Sequence, residues 1–418
     1  MKKYISVGKI LVIAISILFI APGCLKDKLT KTYSILRPVY ESKTTVLANI
    51  KSNQPVSLKE PGKIYLYGQY IFLNEINKGV HIINNANPSS PVNVAFINIP
   101  GNLDIAVKGN ILYADLYTDL LSIDISNPLQ AKLTKVLPRI FPEREYGNGF
   151  NPDTTMIIVD WIKKDTTIDI SVNENGGGRG CPNCWFLSAA QDNNKNNAFV
   201  PGIAGSMSRF ALVNDYLYAV NNSSLETISV SEASDPKYLR SNPMGWNIET
   251  IYPFKDKLFI GSSTGLFIFD IANPAMPEFK GTFTHFRACD PVVADDVYAY
   301  VTLRTGTFCE GTSNQLDIVN VQNLNAPVLI KSYPLSNPHG LAKDGSTLFI
   351  CDGKDGLKVY DATVASNLKL MHHLKGMVTY DAIAWNKRLL LVTQTGLLQY
   401  DYSDLNQIRL LSTISINR

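Results

Sequence analysis

Short apolar runs separated by polar turns fill most of the chain. Segment 265–277, GLFIFDIANPAMP, is typical, because the five-residue run Leu266–Asp270 ends in aspartate and leads into a turn that contains proline. Such runs alternate apolar and polar positions or stay apolar, and they are rich in β-branched and aromatic side chains, which predicts β-strands. After residue 23, no window of 12 residues has the amphipathic pattern of a helix. The pattern therefore predicts an all-β fold.

The run LFIFD is a repeated unit. Similar runs begin at Val80 (VHIIN), Leu120 (LLSID), Leu225 (LETIS), Leu316 (LDIVN), Leu357 (LKVYD) and Leu397 (LLQYD). The spacings from start to start are 40, 105, 41, 50, 41 and 40 residues. A period near 40 residues is typical of arrays of small β-units. The two longer spacings are consistent with one repeat plus an insertion.

Each repeat contains four short apolar runs, such as Ile111–Asp115 in the second place and Lys132–Leu137 in the fourth. Seven repeats of this kind predict a seven-bladed β-propeller of four-stranded antiparallel blades. A single twisted sheet cannot cover both of its apolar faces, whereas seven sheets around an axis bury them all. An open β-solenoid is the rival fold, and it would use shorter periods. The 105-residue spacing leaves room for part of an eighth blade.

The N-terminus has the layout of an export signal. Lysines at positions 2, 3 and 9 flank the apolar run Ile10–Ile20, which at 11 residues is shorter than the roughly 20 needed to span a bilayer. The segment Ala21–Cys24 that follows resembles the lipobox of bacterial lipoproteins, with alanine in place of the usual leucine. The resemblance implies cleavage before Cys24 and lipidation of its thiol. Ordinary signal cleavage beside an incidental Cys24 is the alternative.

These features predict three segments. Residues 1–23 are expected to be a lipoprotein-type signal peptide and residues 24–58 an anchor linker with an N-terminal segment. Residues 59–418 are expected to form the propeller, with an insertion at about 138–206. Part of that insertion, 154–172, reads as a β-hairpin, and its Trp161, together with Trp185, is a candidate partner contact. Leu25, which follows the cysteine, favours an outer-membrane lipoprotein in the cell envelope.

Charge excludes one class of partner. The net charge is +3, and three lysines lie in the signal, so the mature chain is close to neutral. No basic patch with interleaved aromatic residues occurs, and we therefore expect no nucleic-acid partner. Aromatic residues at 10% and a mean hydropathy of -0.00 describe an ordinary chain that is large enough to bury a core.

The repeat resembles a known family. The LFIFD-type runs, most of which end in Asp or Asn, are similar to the LVIVD repeats of bacterial cell-surface β-propeller lipoproteins. The resemblance extends to segments 61–88, 245–261, 289–309 and 337–353, and it covers roughly residues 35–418. It implies exported propellers of undetermined molecular role.

A set of ionisable residues recurs at the start of the first run of each repeat. Because innermost strands line the channel of a propeller, these residues are expected to form a ring at one channel mouth. They are Lys63, Asp104, Arg209, Glu249, Asp290, His339 and Asp381. The ring is a candidate site for a polar ligand or a cation, although mixed signs favour mutual ion pairing between blades. The sequence leaves the metal and the cofactor unknown.

The cysteines suggest disulfides. Cys289 lies at the start of an innermost run, and Cys309 lies with Arg304 in the long loop inserted in the same repeat. A disulfide that ties this loop to the innermost strand is favoured over a catalytic cysteine. Cys181 and Cys184, in CPNC, are expected to form a local disulfide, with metal binding or redox activity as the alternative. Cys351 lies in an apolar run and is expected to be a buried free thiol.

Taken together, the sequence predicts a lipid-anchored, exported propeller that acts as a binding or scaffolding module at the bacterial envelope. Its partners would be the membrane, through Cys24, and a protein or a glycan. The alternative is a propeller enzyme of the hydrolase or quinoprotein kind that uses channel-mouth carboxylates and His339 with a metal or cofactor. A purely structural surface protein is a third reading. No nucleophile-elbow or metalloprotease motif is present, which favours binding.

Overall fold

The computed structural model describes residues 30–141, 155–169, 185–186, 207–245, 247–285, 291–305 and 313–416. The chain divides into two compact units, 1–38 with 161–194 and 39–160 with 195–418. In the described residues, no helix is long and apolar enough to cross a membrane. The N-terminal elements are β1 (Thr30–Ser42), α1 (Lys43–Ala48) and β2 (Ser52–Asn53). Ser42 caps α1, because its hydroxyl accepts the Thr45 N–H at 3.1 Å.

The propeller consists of seven antiparallel blades, as predicted. Blade 1 comprises β3 (Pro61–Tyr67), β4 (Tyr70–Glu75), β5 (Gly79–Asn84) and β6 (Val92–Asn98). Blade 2 comprises β7 (Ile105–Lys108), β8 (Ile111–Leu116), β9 (Asp119–Asp124) and β10 (Lys132–Leu137). In sequence, β11 (Met156–Asp169) and β12 (Trp185–Phe186) follow blade 2 and precede blade 3. Blade 3 comprises β13 (Phe210–Val213), β14 (Tyr216–Val220), β15 (Ser224–Ser229) and β16 (Lys237–Pro243).

The remaining four blades follow in chain order. Blade 4 comprises β17 (Ile248–Phe254), β18 (Lys257–Ser262), β19 (Gly265–Asp270) and β20 (Glu278–Thr284). Blade 5 comprises β21 (Val292–Ala294), β22 (Tyr298–Leu303), β23 (Gln315–Asn320) and β24 (Val328–Pro334). Blade 6 comprises β25 (Leu341–Asp344), β26 (Thr347–Cys351), β27 (Leu357–Asp361) and β28 (Lys369–Leu374). Blade 7 comprises β29 (Thr379–Trp385), β30 (Arg388–Thr393), β31 (Gly396–Asp401) and β32 (Arg409–Ser415).

The sheet outside the blades corrects one prediction. Strands β11, β1 and β12 form a three-stranded sheet in that order. Segment 154–172 is therefore not a hairpin, because Met156–Asp169 is one strand whose neighbour is β1. In the smaller unit, the Thr32 and Thr167 hydroxyls are 2.9 Å apart, and Ser34 donates to Asp165. No Gly, Pro or Asn interrupts residues 156–169, and a partner strand is available from the N-terminal segment.

The Asp or Asn that ends the repeat motif caps a turn. In six blades its Oδ1 accepts the backbone N–H two residues later, at 2.7–3.0 Å. The six capping residues are Asn84, Asp124, Asp270, Asn320, Asp361 and Asp401. A carboxylate or amide oxygen suits this position because it satisfies a turn N–H that has no strand partner. This geometry explains why the repeat ends in these two residue types.

Neighbouring blades are joined mainly by apolar packing. Leu225 of blade 3 and Leu258 of blade 4 belong to one buried cluster, and Leu316 of blade 5 and Leu348 of blade 6 belong to another. Tyrosine hydroxyls add bonds across the same joints. Tyr113 of blade 2 donates to the Ala233 carbonyl of blade 3 at 2.7 Å. The blades thus bury the faces that a single sheet would leave exposed.

Blades 1 and 7 close the ring without exchanging a strand. Ile71 and Leu73 of blade 1 share a buried cluster with Leu390 of blade 7. In addition, the amide side chains of Asn85 and Gln399 bond reciprocally, with N–O distances of 3.0 and 2.8 Å. Gln399 is fully buried, so its carbonyl oxygen depends on the Asn85 amide, while its Nε2 also donates to Ser412 Oγ at 3.2 Å.

The amide pair predicts a measurable coupling. Asn85→Ala and Gln399→Ala are each expected to lower the free energy of unfolding by about 1–2 kcal/mol, because each removes two hydrogen bonds between a buried amide and a half-buried one. The double variant should cost about 1 kcal/mol less than the sum, since the second change removes the orphaned group. Urea unfolding of the four proteins measures this, with Asn325→Ala, a change at an exposed asparagine, as the control. Fully additive losses would show that the pair does not act as a closure contact.

Candidate functional site

Six of the seven predicted ring residues lie where the innermost strands begin. Lys63, Glu249 and Asp381 lie within the first three residues of β3, β17 and β29. Asp104 and Arg209 directly precede β7 and β13, and His339 lies two residues before β25. The seventh residue, Asp290, lies outside the described residues.

Lys63 is a buried cation between two carboxylates. Its Nζ lies 4.0 Å from Asp104 Oδ2 and donates to the Met207 carbonyl, and its side chain is 3% exposed. Burial lowers the pKa of Lys63, whereas the charges of Asp104 and Asp381 raise it. Both carboxylates are almost fully buried. This sector of the ring therefore balances one cation against two flanking anions.

Asp104 also ties blade 2 to blade 3. Its Oδ2 accepts the N–H of Phe210 at 2.8 Å and that of Arg209, and its Oδ1 accepts the Ile105 N–H at 2.7 Å. Ser208 Oγ donates to the same Oδ2 at 3.1 Å. A carboxylate that accepts several N–H groups is held in one orientation.

Glu249 lies near two guanidinium groups. Its charge raises the pKa of Arg209 and of Arg304, while burial, the larger effect for both, lowers those pKa values. The charge of Asp104 raises the pKa of Arg209 as well. Arg304, which follows β22 of blade 5, is thus part of the ring, although sequence reasoning placed it in a loop.

His339 completes the contact with Arg304. The Arg304 guanidinium lies 2.6 Å from His339 Nδ1, and the Tyr380 ring packs edge-on with a centroid distance of 5.5 Å. Burial, and secondly the Arg304 charge, hold the pKa of His339 well below its usual value. The imidazole is therefore neutral at pH 7, and Arg304 is its donor rather than a competitor for the proton.

A second set of buried carboxylates fixes the segments that lead into the innermost strands, and sequence reasoning missed it. Asp115 Oδ1 accepts the N–H groups of Leu103 and Asp104, both at 2.9 Å. Asp352 Oδ1 likewise accepts the Ser336 N–H at 3.0 Å and the Asn337 N–H at 2.6 Å. The sequence feature that could have revealed this set is the polar residue at the end of the second apolar run of a repeat, such as Asp115 in ILYAD. These bonds position ring residues through the backbone.

Among the described ring residues, charges alternate over blades 1 to 5, blade 6 contributes the neutral His339 and blade 7 contributes Asp381. The carboxylates of Asp104, Glu249 and Asp381 are interleaved with the cations Lys63, Arg209 and Arg304. In the described part of the chain, no group of three or more His, Cys, Asp or Glu side chains could hold a metal ion. The geometry therefore favours ion pairing between blades over a cage of converging carboxylates.

Most of the cysteines predicted to have roles lie outside the described residues, namely Cys24, Cys181, Cys184, Cys289 and Cys309. The prediction for Cys351 is confirmed, since this thiol is free and fully buried. Burial, with a smaller effect of Asp381, raises the pKa of Cys351 well above its usual value. A protonated, inaccessible thiol is a poor nucleophile.

The neutral buried imidazole predicts a pH dependence of stability. The pKa of His339 is lower in the folded chain than in the unfolded chain, so the unfolded chain binds more protons as the pH falls below about 6.5. Folded-state stability should thus be lost in that direction, by at most about 1.4 kcal/mol per pH unit from this one group.

Urea unfolding of the wild type and of His339→Gln between pH 7.5 and 5 measures this effect. The variant should have the shallower pH dependence, because it lacks the imidazole that only the unfolded chain protonates readily. Equal slopes in the two proteins would contradict a neutral, buried His339.

Comparison with known proteins agrees with this fold. Residues 102–134 and 258–285 match the model of the LVIVD repeat. A protein from Lactobacillus plantarum is structurally similar, with 11% identity, a TM-score of 0.54 and coverage of 92% of this chain and 97% of that chain. The computationally designed Ika8 protein is similar with 7% identity, a TM-score of 0.52 and coverage of 87% and 92%. No curated protein matched the sequence. The chain therefore contains segments that match the LVIVD repeat, within a seven-bladed β-propeller fold.

Proposed function

We propose that this chain is an exported, lipid-anchored propeller that binds a protein or glycan partner at the bacterial envelope. The signal-like run Ile10–Ile20 and the lipobox-like Ala21–Cys24 support export and anchoring. The resemblance to cell-surface LVIVD proteins supports the envelope, and Leu25 favours the outer membrane. Anchoring through Cys24 would leave the propeller beside the membrane as a scaffold for a second molecule.

The interleaving of opposite charges at the channel mouth is the observation that favours a binding function over a catalytic one. A hydrolytic or cofactor site needs carboxylates or an imidazole that face a substrate. In this ring, Lys63 lies between the charges of Asp104 and Asp381, and Arg304 donates to His339. An enzyme that used these groups would first have to break their interactions with one another. The rim, the insertion and the blade edges are thus the better candidates for a binding surface.

To test the anchor, a Gram-negative host that expresses the full chain is grown in the presence of a clickable palmitate analogue. We expect the label on the wild type, because a lipobox cysteine accepts lipid. Cys24→Ala should abolish labelling, and Cys351→Ala, which changes a buried thiol, should retain it. Absence of label on the wild type, or label on Cys24→Ala, would contradict anchoring through Cys24.

A further inference from the structure

The outer edge of blade 5 is the most exposed apolar strand edge among those described. Every residue of β24 except Tyr333 is exposed, and Val328, Leu329 and Ile330 are 57%, 43% and 39% exposed. Strand β24 is the last strand of its sheet, so one side of its backbone has no strand partner. Exposed apolar strand edges favour pairing with another extended chain.

The propeller itself pairs an extended segment with an outer edge, at blades 1 and 2. Strand β2 pairs antiparallel with β6 of blade 1, placing Ser52 opposite Ile97. Just before it, the Ile50 carbonyl accepts the Leu133 N–H from β10 of blade 2 at 3.2 Å. Outer strands of this fold therefore accept an added segment. The segment 50–53 covers the first two blades, and nothing comparable covers β24 in the described residues.

The outer strands also have a strong charge asymmetry. The seven outer strands contain a single acidic residue, Glu278. Their basic residues are Lys132, Lys135, Lys237, Arg240, Lys280, Lys331, Lys369 and Arg409. A partner with acidic side chains would complement this perimeter.

Lys331 of β24 differs from several of these cations. Lys135, Lys280 and Arg409 pair with nearby carboxylates at 2.7, 2.8 and 2.7 Å. Lys331, in contrast, has no carboxylate partner among the described residues. The preceding turn, 321–327 (VQNLNAP), contains no acidic residue that could supply one. The blade 5 edge thus combines apolar side chains with an uncompensated positive charge.

We propose that β24 of blade 5 binds an extended segment of a partner protein, in which apolar and acidic side chains alternate. The segment would pair with the backbone of β24, its apolar side chains would contact Leu329 and its neighbours, and a carboxylate would pair with Lys331. A second copy of this chain is a poorer occupant, because pairing two β24 edges would bring two uncompensated Lys331 side chains together. The proposal rests on the proposed binding function and names the binding surface for it.

Fluorescence anisotropy of a labelled eight-residue peptide that alternates valine and glutamate tests the proposal on the purified full-length chain. We expect saturable binding that weakens with added salt, and no binding of the peptide that alternates valine and lysine. Lys331→Glu should weaken the affinity for the acidic peptide by about tenfold or more. Lys369→Glu, the same change on the outer strand of blade 6, should have little effect.

Hydrogen exchange locates the site. The acidic peptide should protect backbone amides within 328–334, and a peptide with alternate N-methylated residues should neither bind nor protect, because it cannot form the ladder. Absence of binding, equal binding of the lysine peptide, or protection on other blades would overturn the proposal. Concentration-dependent dimerisation with protection of β24 in the absence of peptide would assign the edge to a second copy instead. Palmitate labelling of Cys24 is read independently, so failure of the anchor and failure of the edge are distinguishable.

Discussion

The burial of both faces of every blade is the constraint on which the rest of the structure depends. A blade of short apolar strands has no stable existence alone, because each face needs a neighbour. Leu225 and Leu258 pack across one joint, and Ile71 and Leu390 across the closing joint. Blade 7 is built from four consecutive strands, β29 to β32, and no other described strand joins its sheet. Closure of the ring therefore depends on this packing and on the Asn85–Gln399 amide pair. The closed ring of blades places the starts of the described innermost strands at one end of the channel.

That placement produces the polar ring. In six blades of the described chain, the residue at the start of the innermost strand is ionisable, and most of these side chains are buried. Charges there are tolerated only when neighbours of opposite sign compensate for the lost water. Lys63 beside Asp104, and Arg209 near Glu249, meet this requirement. His339 meets it differently, because it stays neutral and accepts from Arg304. The mouth is thus stabilised by its own residues.

The sequence predicts the fold far better than the site. The 40-residue period and the terminal Asp or Asn are local signals, and the capped turn after Asp270 shows their physical origin. Arg304 was missed because its role depends on contact with His339, 35 residues away, across two blades. The hairpin at 154–172 was wrong because the partner of β11 comes from residues more than 100 positions earlier. Repeat patterns report contacts within a blade, and contacts between blades leave little trace in local sequence.

A channel mouth held together by ion pairs between blades should bind no metal ion. Metal analysis of the purified chain, with thermal unfolding in calcium, zinc or chelator, measures this. We expect no stoichiometric metal and no shift of Tm with any addition, because the carboxylates already interact with cations. One equivalent of metal that is lost in the combined Asp104→Ala and Asp381→Ala variant would contradict it.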